Sequence, residues 1–307
     1  MHIPDGFVSV PVAAATGVAS VAAVAVALSR SDRAHGIRQA PLLGLTTAFV
    51  FAAQMINFPV AGGTSGHLLG ATLAAVVLGS PWAATICITT VLLIQAVLFA
   101  DGGITALGAN ALNMGVIGVW AGWGLTRVLH RLLGGSKNRL PLAAGIAAGV
   151  SVVAAAVACS IELALSGTAP ANLVLPAMTG IHILIGVGEG AITGGVLTYL
   201  ATARPDLLPG EQPQFQKWLV PVVSVFLIAG VLSLAASAWP DGLEKVAEDL
   251  GFIQLAENAR VTVPTPLADY EIQGFGPIGT SIAGILGSGA SFGVAFGLAR
   301  LVKPKHA

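Results

Sequence analysis

The sequence predicts an all-α, polytopic membrane protein of about nine transmembrane helices, with its N-terminus outside and its C-terminus cytoplasmic. Three observations predict it. Of 307 residues, 55% are hydrophobic and only 9% charged, where a soluble domain carries about 25% charged residues. The 39 glycines sit inside apolar runs, where they let membrane helices pack closely. The apolar runs themselves approach the ~20 residues that crossing a bilayer requires.

In chain order the runs cover 8–29, 39–56, 66–79, 82–100, 107–128, 141–165, 172–200, 218–239 and 278–301. The third is short, bounded by Gly66, Gly70 and the Ser80-Pro81 pair, and on its own also fits a re-entrant helix. Charge favours the full count. With nine crossings, Arg30, Arg33, Arg38, Arg127, Arg131, Lys137, Arg139, Arg204, Lys217, Arg300, Lys303 and Lys305 fall inside, which is 12 of the 14 Lys and Arg. Only Lys245 and Arg260 fall outside, as the positive-inside rule expects. A re-entrant third run would move the 130–140 and 201–217 loops across the membrane and erase that bias. The opening MHIPDGFV lacks the basic residues of a signal peptide. The mature chain is therefore expected to begin at Met1, with the bulky His2 protecting the initiator methionine.

Composition divides the chain into three parts. Residues 1–202 hold seven runs. Residues 203–216, ARPDLLPGEQPQFQ, are polar and proline-rich and read as a cytoplasmic linker. Residues 217–307 hold the last two runs around an extracytoplasmic loop, 240–277. That loop carries Asp241, Glu244, Glu248, Asp249, Glu257, Asp269 and Glu271 against two basic residues, either as an acidic vestibule for cations or as an ordinary solvated face. Its start, PDGLEKVAEDLGF, predicts a short amphipathic helix with Asp241 as N-cap and Glu244 at the capping-box position. Gly289, Gly293 and Gly297 form a small-residue stripe, expected to dock this hairpin onto the first seven runs or to face a partner subunit. Cys87 and Cys159 lie in apolar stretches and read as small buried hydrophobes.

Several chemistries are absent from the sequence. It has no GxxxxGK[ST] phosphate loop, no HExxH and no GxSxG, and no basic, aromatic-interleaved stripe for nucleic acid. His35, His130 and His306 read as surface residues, which leaves His2, His67 and His182. His182 precedes Glu189 by seven residues and shares its helical face. The Met1 amine, the His2 backbone nitrogen and the His2 Nδ1 can chelate one cation in fused five- and six-membered rings. A second imidazole such as His67 would complete four planar nitrogens, a set suited to Ni2+ or Cu2+. Pro4 stiffens the chain just past the chelate. Binding would displace protons and weaken in acid.

At these residues the sequence resembles a known family. MHIPDG at the start, NFPVAGGTSGHLLGA at 57–71 and DGGITALGANALNMG at 101–115 are similar to the substrate-specific membrane subunit of the cobalt/nickel energy-coupling-factor importers, the CbiM/NikM family, over roughly residues 1–200. PDGLE at 240–244 resembles the small companion subunit, CbiN/NikN-like, here fused at the C-terminus. The resemblance implies an α-helical membrane protein of the plasma membrane that captures Ni2+ or Co2+ from outside through Met1, His2 and His67. It implies no prosthetic group, the metal being cargo. It also implies a separate transmembrane coupling subunit and ATP-binding subunits, so the chain itself is no enzyme.

Asn57, Ser65, Gln95, Asn110 and Asn113 stand near run ends, where they could orient His67 and line an entry path or merely satisfy helix termini. Intramembrane Glu189 is a functional candidate, with a hydrogen bond to a neighbouring helix as its plain alternative. Glu162 is expected at the membrane interface. The competing function is a self-sufficient divalent-cation channel or ion-coupled carrier that uses His182 and Glu189 as a relay. Square-planar nitrogen coordination leans toward Ni2+ over Co2+.

Overall fold

The computed structural model describes residues 1–35, 40–209, 214, 217–259 and 263–301. Arg38, Arg260, Lys303, Lys305, His306, most of 210–216 and the side chains of Arg33 and His35 lie outside the described residues. Those described are overwhelmingly helical. Helix α1 is Val10–His35, α2 Ala40–Gln54 and α3 Ala71–Leu78. Helix α4, Pro81–Ile94, runs on into a π-helical turn, Gln95–Phe99. Helix α5, Leu107–Asn110, continues through a second π segment, Ala111–Gly118, into α6, Val119–Leu132. Then come α7 Leu140–Leu165, α8 Ala171–Ala203, α9 Leu219–Gly230, α10 Gly242–Leu250, α11 Gln254–Glu257 and α12 Gly276–Leu301. One small antiparallel hairpin pairs β1, Phe58–Pro59, with β2, Ser65–Gly66.

Among the described residues, five helices are long and apolar enough to cross a bilayer: Val10–Ser31, Pro81–Phe99, Lys137–Leu165, Ala171–Ala203 and Gly276–Arg300. Ala40–Gln54 and Leu219–Ala235 are apolar but shorter. The 107–132 stretch is helical throughout, its hydropathy diluted by Asn110 and Asn113. The third run departs from expectation. Its helix, α3, has 8 residues, about 12 Å at 1.5 Å per residue and far short of a ~30 Å core. The reason is that residues 67–70 are non-helical, and Gly70 holds φ 73° at the helix N-cap. Every side chain of α3 is buried, as expected of a helix apolar all round. It sits among α2, α4, α6, α7 and α8.

Two packings frame the site. Helices α7 and α8 approach backbone to backbone, so that a Cβ on Gly149 would lie 2.7 Å from the Gly186 carbonyl oxygen and one on Gly190 2.7 Å from that of Gly145. Helix α12 packs on α2, α4 and α9, but not through its predicted stripe. A Cβ at Gly289, Gly293 or Gly297 would meet nothing within 4 Å, whereas one at Gly287 would lie 2.1 Å from Phe51 Cζ and one at Gly284 2.5 Å from the Ala229 carbonyl oxygen. The docking expectation for the stripe is corrected: contact runs through Gly284 and Gly287, one helical face away.

The start of the expected linker is folded. Arg204 forks onto Asp206 at 2.8 and 2.9 Å and donates to the Lys217 carbonyl at 2.7 Å. These bonds hold Asp206 well below its usual carboxylate range despite partial desolvation.

Candidate metal centre

The N-terminus is threaded into the protein. Ile3 is fully buried and Met1 and His2 nearly so. Asn110, at the end of α5, clamps the Ile3 backbone on both sides: its Oδ1 accepts from the Ile3 N–H at 2.8 Å and its Nδ2 donates to the Ile3 carbonyl at 3.0 Å. Gly103 N–H donates to the same carbonyl at 2.8 Å. The DGG sequence explains itself here. Gly102 has φ +86°, and a Cβ on it would lie 3.4 Å from His2 Cβ, while a Cβ on Gly103 would fall 2.3 Å from the Asp5 nitrogen. Asp5 in turn accepts from the Thr105 N–H at 2.8 Å. The loop after the first π turn is thus shaped to receive the N-terminal strand.

The nitrogens converge. The Met1 amine stands 2.8 Å from His67 Nε2, and the His2 and His67 rings stack with centroids 4.8 Å apart and planes 17° off parallel. His67 Nδ1 lies 3.1 Å from the Leu68 carbonyl. A carbonyl only accepts, so Nδ1 carries the proton and Nε2 presents a bare lone pair, the form that binds metal. The non-helical segment carrying His67 is held from beneath by Glu189, whose Oε2 and Oε1 accept from Leu69 N–H at 2.6 Å and Gly70 N–H at 2.9 Å. Glu189 therefore hydrogen-bonds to a neighbouring segment, the plainer of its two sequence readings, and by doing so positions His67.

Two carboxylates flank the cluster. Asp241 Oδ1 caps α10, accepting from Leu243 N–H at 2.8 Å and Glu244 N–H at 2.9 Å, and Glu244 closes the predicted capping box. Its Oδ2 accepts from the Met1 ammonium at 2.6 Å and lies 4.0 Å from His67 Nε2. Asp101 Oδ1 pairs with His2 Nδ1 at 3.0 Å, and its Oδ2 accepts from the Tyr270 hydroxyl. Burial pushes both carboxyls up. For Asp241 the N-terminal charge, His67 and the amine hydrogen bond outweigh burial; for Asp101 the charge and hydrogen bond of His2 do so, helped by Tyr270. Both end far below the usual carboxylate range. Burial and the Asp101 charge drive the Tyr270 phenol well above its ordinary value.

The remaining sequence candidates take distinct places. Gln95, in the first π turn, donates to the Tyr270 hydroxyl at 3.0 Å, ending a chain that starts at His2. Ser65 donates through Oγ to the Trp239 carbonyl at 2.7 Å, and its N–H donates to Pro240 at 2.8 Å. Asn57 accepts from Ser237 N–H at 2.8 Å through its backbone carbonyl. Both therefore fasten the segment that leads into Asp241. Asn113 is elsewhere: it donates to Glu162 Oε2 at 2.6 Å. Glu162 is buried, which corrects its expected place at the interface. His182 is 1% exposed on α8, beside the cluster. Sequence reasoning read Asp241 only as a helix cap and passed over Asp101 and Tyr270. The DGG and PDGLE motifs were the available signals for the two aspartates.

Comparisons with known proteins identify the family. Residues 2–207 match the CbiM family model, described as cobalt uptake substrate-specific transmembrane region. The chain belongs to the CbiM family. Residues 216–304 match the PDGLE domain. The fused nickel transport protein NikMN of Rhodobacter capsulatus is 32% identical over 346 residues, covering 99% of both chains. The cobalt transport protein CbiM of Geobacter sulfurreducens is 32% identical over 284 residues, 85% of this chain and 79% of that one. A crystal structure of a transition metal transporter superposes with a TM-score of 0.60 at 36% identity, covering 71% of this chain and 99% of the other. These relatives are named as transport proteins, not enzymes.

Proposed function

We propose that this chain is the substrate-capturing membrane subunit of an ATP-driven Ni2+ or Co2+ importer, and that Met1, His2 and His67 hold the cation. Its place among the membrane components of cobalt/nickel transport follows from the family and the fused relatives. Capture through the free N-terminus rests on one observation above all, the 2.8 Å approach of the Met1 amine to His67 Nε2 in a buried pocket. Two nitrogens bound at right angles, each about 2.0 Å from one cation, stand about 2.8 Å apart. The His2 amide and Nδ1 complete the plane. Nδ1 now contacts Asp101, so binding exchanges a carboxylate partner for the cation. Asp241 and Asp101 keep negative charge beside the dication.

The reading extends to the assembly. Nine crossings with Met1 outside, the third made by the non-helical residues 67–70 together with the short α3, would put the site where cations arrive, in a plasma membrane. Residues 1–202 form the capture domain, and 217–307 form a companion domain that closes over it. Coupling and ATP-binding subunits supply the energy. Nickel is favoured over cobalt by planar nitrogen donors and by the fused nickel transport relative.

The test compares purified native chain with the same chain carrying extra N-terminal residues, titrated with Ni2+ and Co2+ by calorimetry. The native chain should bind and the extended one should not, and His67→Ala should abolish or greatly weaken binding. Equal binding by the extended chain would remove Met1 from the ligand set. Uptake into liposomes containing this chain alone would favour a self-sufficient carrier over an ATP-driven importer.

A further inference from the structure

We infer that His182 is a second, inner ligand for the transported cation, receiving it from the Met1, His2 and His67 cluster on its way into the protein. The inference rests on the capture reading above. Its starting point is a cavity of about 10 Å³ lined by Met1, His67, Asp241, Gly242 and, on α8, His182 and Ile185. That volume is about one water-sized probe. A bare divalent cation fits it and a fully hydrated one does not, so protein atoms must replace the water ligands.

His182 is built as such a ligand. Its Nδ1 lies 2.8 Å from the Met178 carbonyl one turn earlier. A carbonyl only accepts, so Nδ1 holds the proton and Nε2 keeps its lone pair. This is how proteins commonly fix a metal-binding imidazole, with the second ring nitrogen donating to a backbone oxygen. Nε2 is buried and has no hydrogen-bond partner among the described residues. Leaving such a group unpaired costs stability, an expense with a purpose where a cation passes. The ring's Cε1 faces α10: a Cβ on Gly242 would lie 2.9 Å from it. Gly242 adjoins Asp241, whose Oδ2 touches the Met1 amine at 2.6 Å. His67, Asp241 and His182 thus line one small cavity, an imidazole, a carboxylate and an imidazole, without yet standing at joint metal-holding distance among the described residues. A cation leaving the planar nitrogens can exchange the amine and His2 for His182 while His67 and Asp241 stay in reach. The His2 amide regains its proton as the cation departs.

The test uses His182→Asn in the full chain. The Asn side-chain amide can still donate to the Met178 carbonyl but supplies nothing at the Nε2 position, so it separates a structural role from a ligand role. His182→Gln, which puts a weaker amide donor near Nε2, is the second variant. Ni2+ affinity is measured by calorimetry, folding by the thermal midpoint, and uptake with radioactive Ni2+ in cells that depend on this chain. At least one variant should keep the native midpoint and native Kd while uptake falls about 10- to 100-fold, the scale of losing a metal-site group. Native uptake in every variant that folds, or loss of affinity together with uptake in a folded variant, would overturn the relay. Native affinity in His67→Ala would sink the capture site and the relay together. Lost affinity in His67→Ala with native uptake in His182→Asn would sink the relay alone.

Discussion

Asp241 is the residue on which the most depends. One oxygen caps a helix, and the other receives the N-terminal ammonium at 2.6 Å. Its carboxyl is held far below its ordinary value, burial being outweighed by the N-terminal charge and His67. A depressed carboxyl contributes stability that is complete above its unfolded pKa, about 3.9, and is lost as pH falls through the folded value. The gap in thermal midpoint between native chain and Asp241→Asn should therefore stay constant from pH 8 to 5 and close only below about pH 4. Metal affinity behaves differently. Ligand nitrogens must shed protons to bind, so Kd for Ni2+ should rise about tenfold per pH unit for each proton displaced, well before the carboxylate titrates. Midpoints and calorimetric Kd values across that range check both. A midpoint gap that shrinks in step with affinity would mean that acid loosens the N-terminus, not that protons compete with the cation.

At the scale of elements, glycines decide which helix faces meet. Gly287→Ala drives a methyl into Phe51 and Phe99, so it should destabilise by the ~1–3 kcal/mol typical of overpacking. Gly289→Ala meets open space and should leave the midpoint unchanged. Thermal unfolding in detergent compares the two, and equal midpoints would mean that α12 docks by another face. Hydropathy could locate this helix but not choose between two glycine faces one residue-step apart, because both are small and apolar. The same limit hid α3. Leu68 and Leu69 count as span residues by hydropathy, yet they lie before the helix, where Glu189 accepts from the N–H groups of Leu69 and Gly70. By contrast, the convergence of Met1, His2 and His67 was legible because the proposed chelate needs only the first two residues and one further imidazole. The capping box of α10 was legible because it is local. The second task of Asp241, a contact across 240 positions, left no local mark.

For the whole molecule, the two domain matches meet at the proposed cation site. The segment before α10 adds backbone bonds to the β1–β2 hairpin at Ser65, Asn57 is bonded by Ser237, and Leu267 N–H donates to the Leu98 carbonyl at 2.9 Å. Tyr270 buttresses Asp101, and Asp241 faces the amine. The C-terminal part therefore supplies one of the two flanking carboxylates and braces the other. Charge makes the consequence specific. A dication on Met1, His2 and His67 loses a neighbouring negative charge when residues 217–307 are removed, and the amine loses a charge-assisted bond that orders it. Such bonds contribute ~1.5–3 kcal/mol, and 1.4 kcal/mol is about tenfold in Kd. A chain ending at residue 209 should therefore bind Ni2+ about ten- to a hundredfold more weakly than the full chain. Asp241→Asn in the full chain should reproduce most of that loss, since it removes the charge and keeps the fold around it. Tyr270→Phe should cost less, because Asp101 retains His2. Calorimetry on the four proteins at one pH orders them. If the short chain binds as tightly as the full one, the C-terminal part covers the site without contributing to it. If Asp241→Asn binds normally while the short chain fails, its contribution is the ordering of the N-terminus by the backbone contacts, and the charge is incidental.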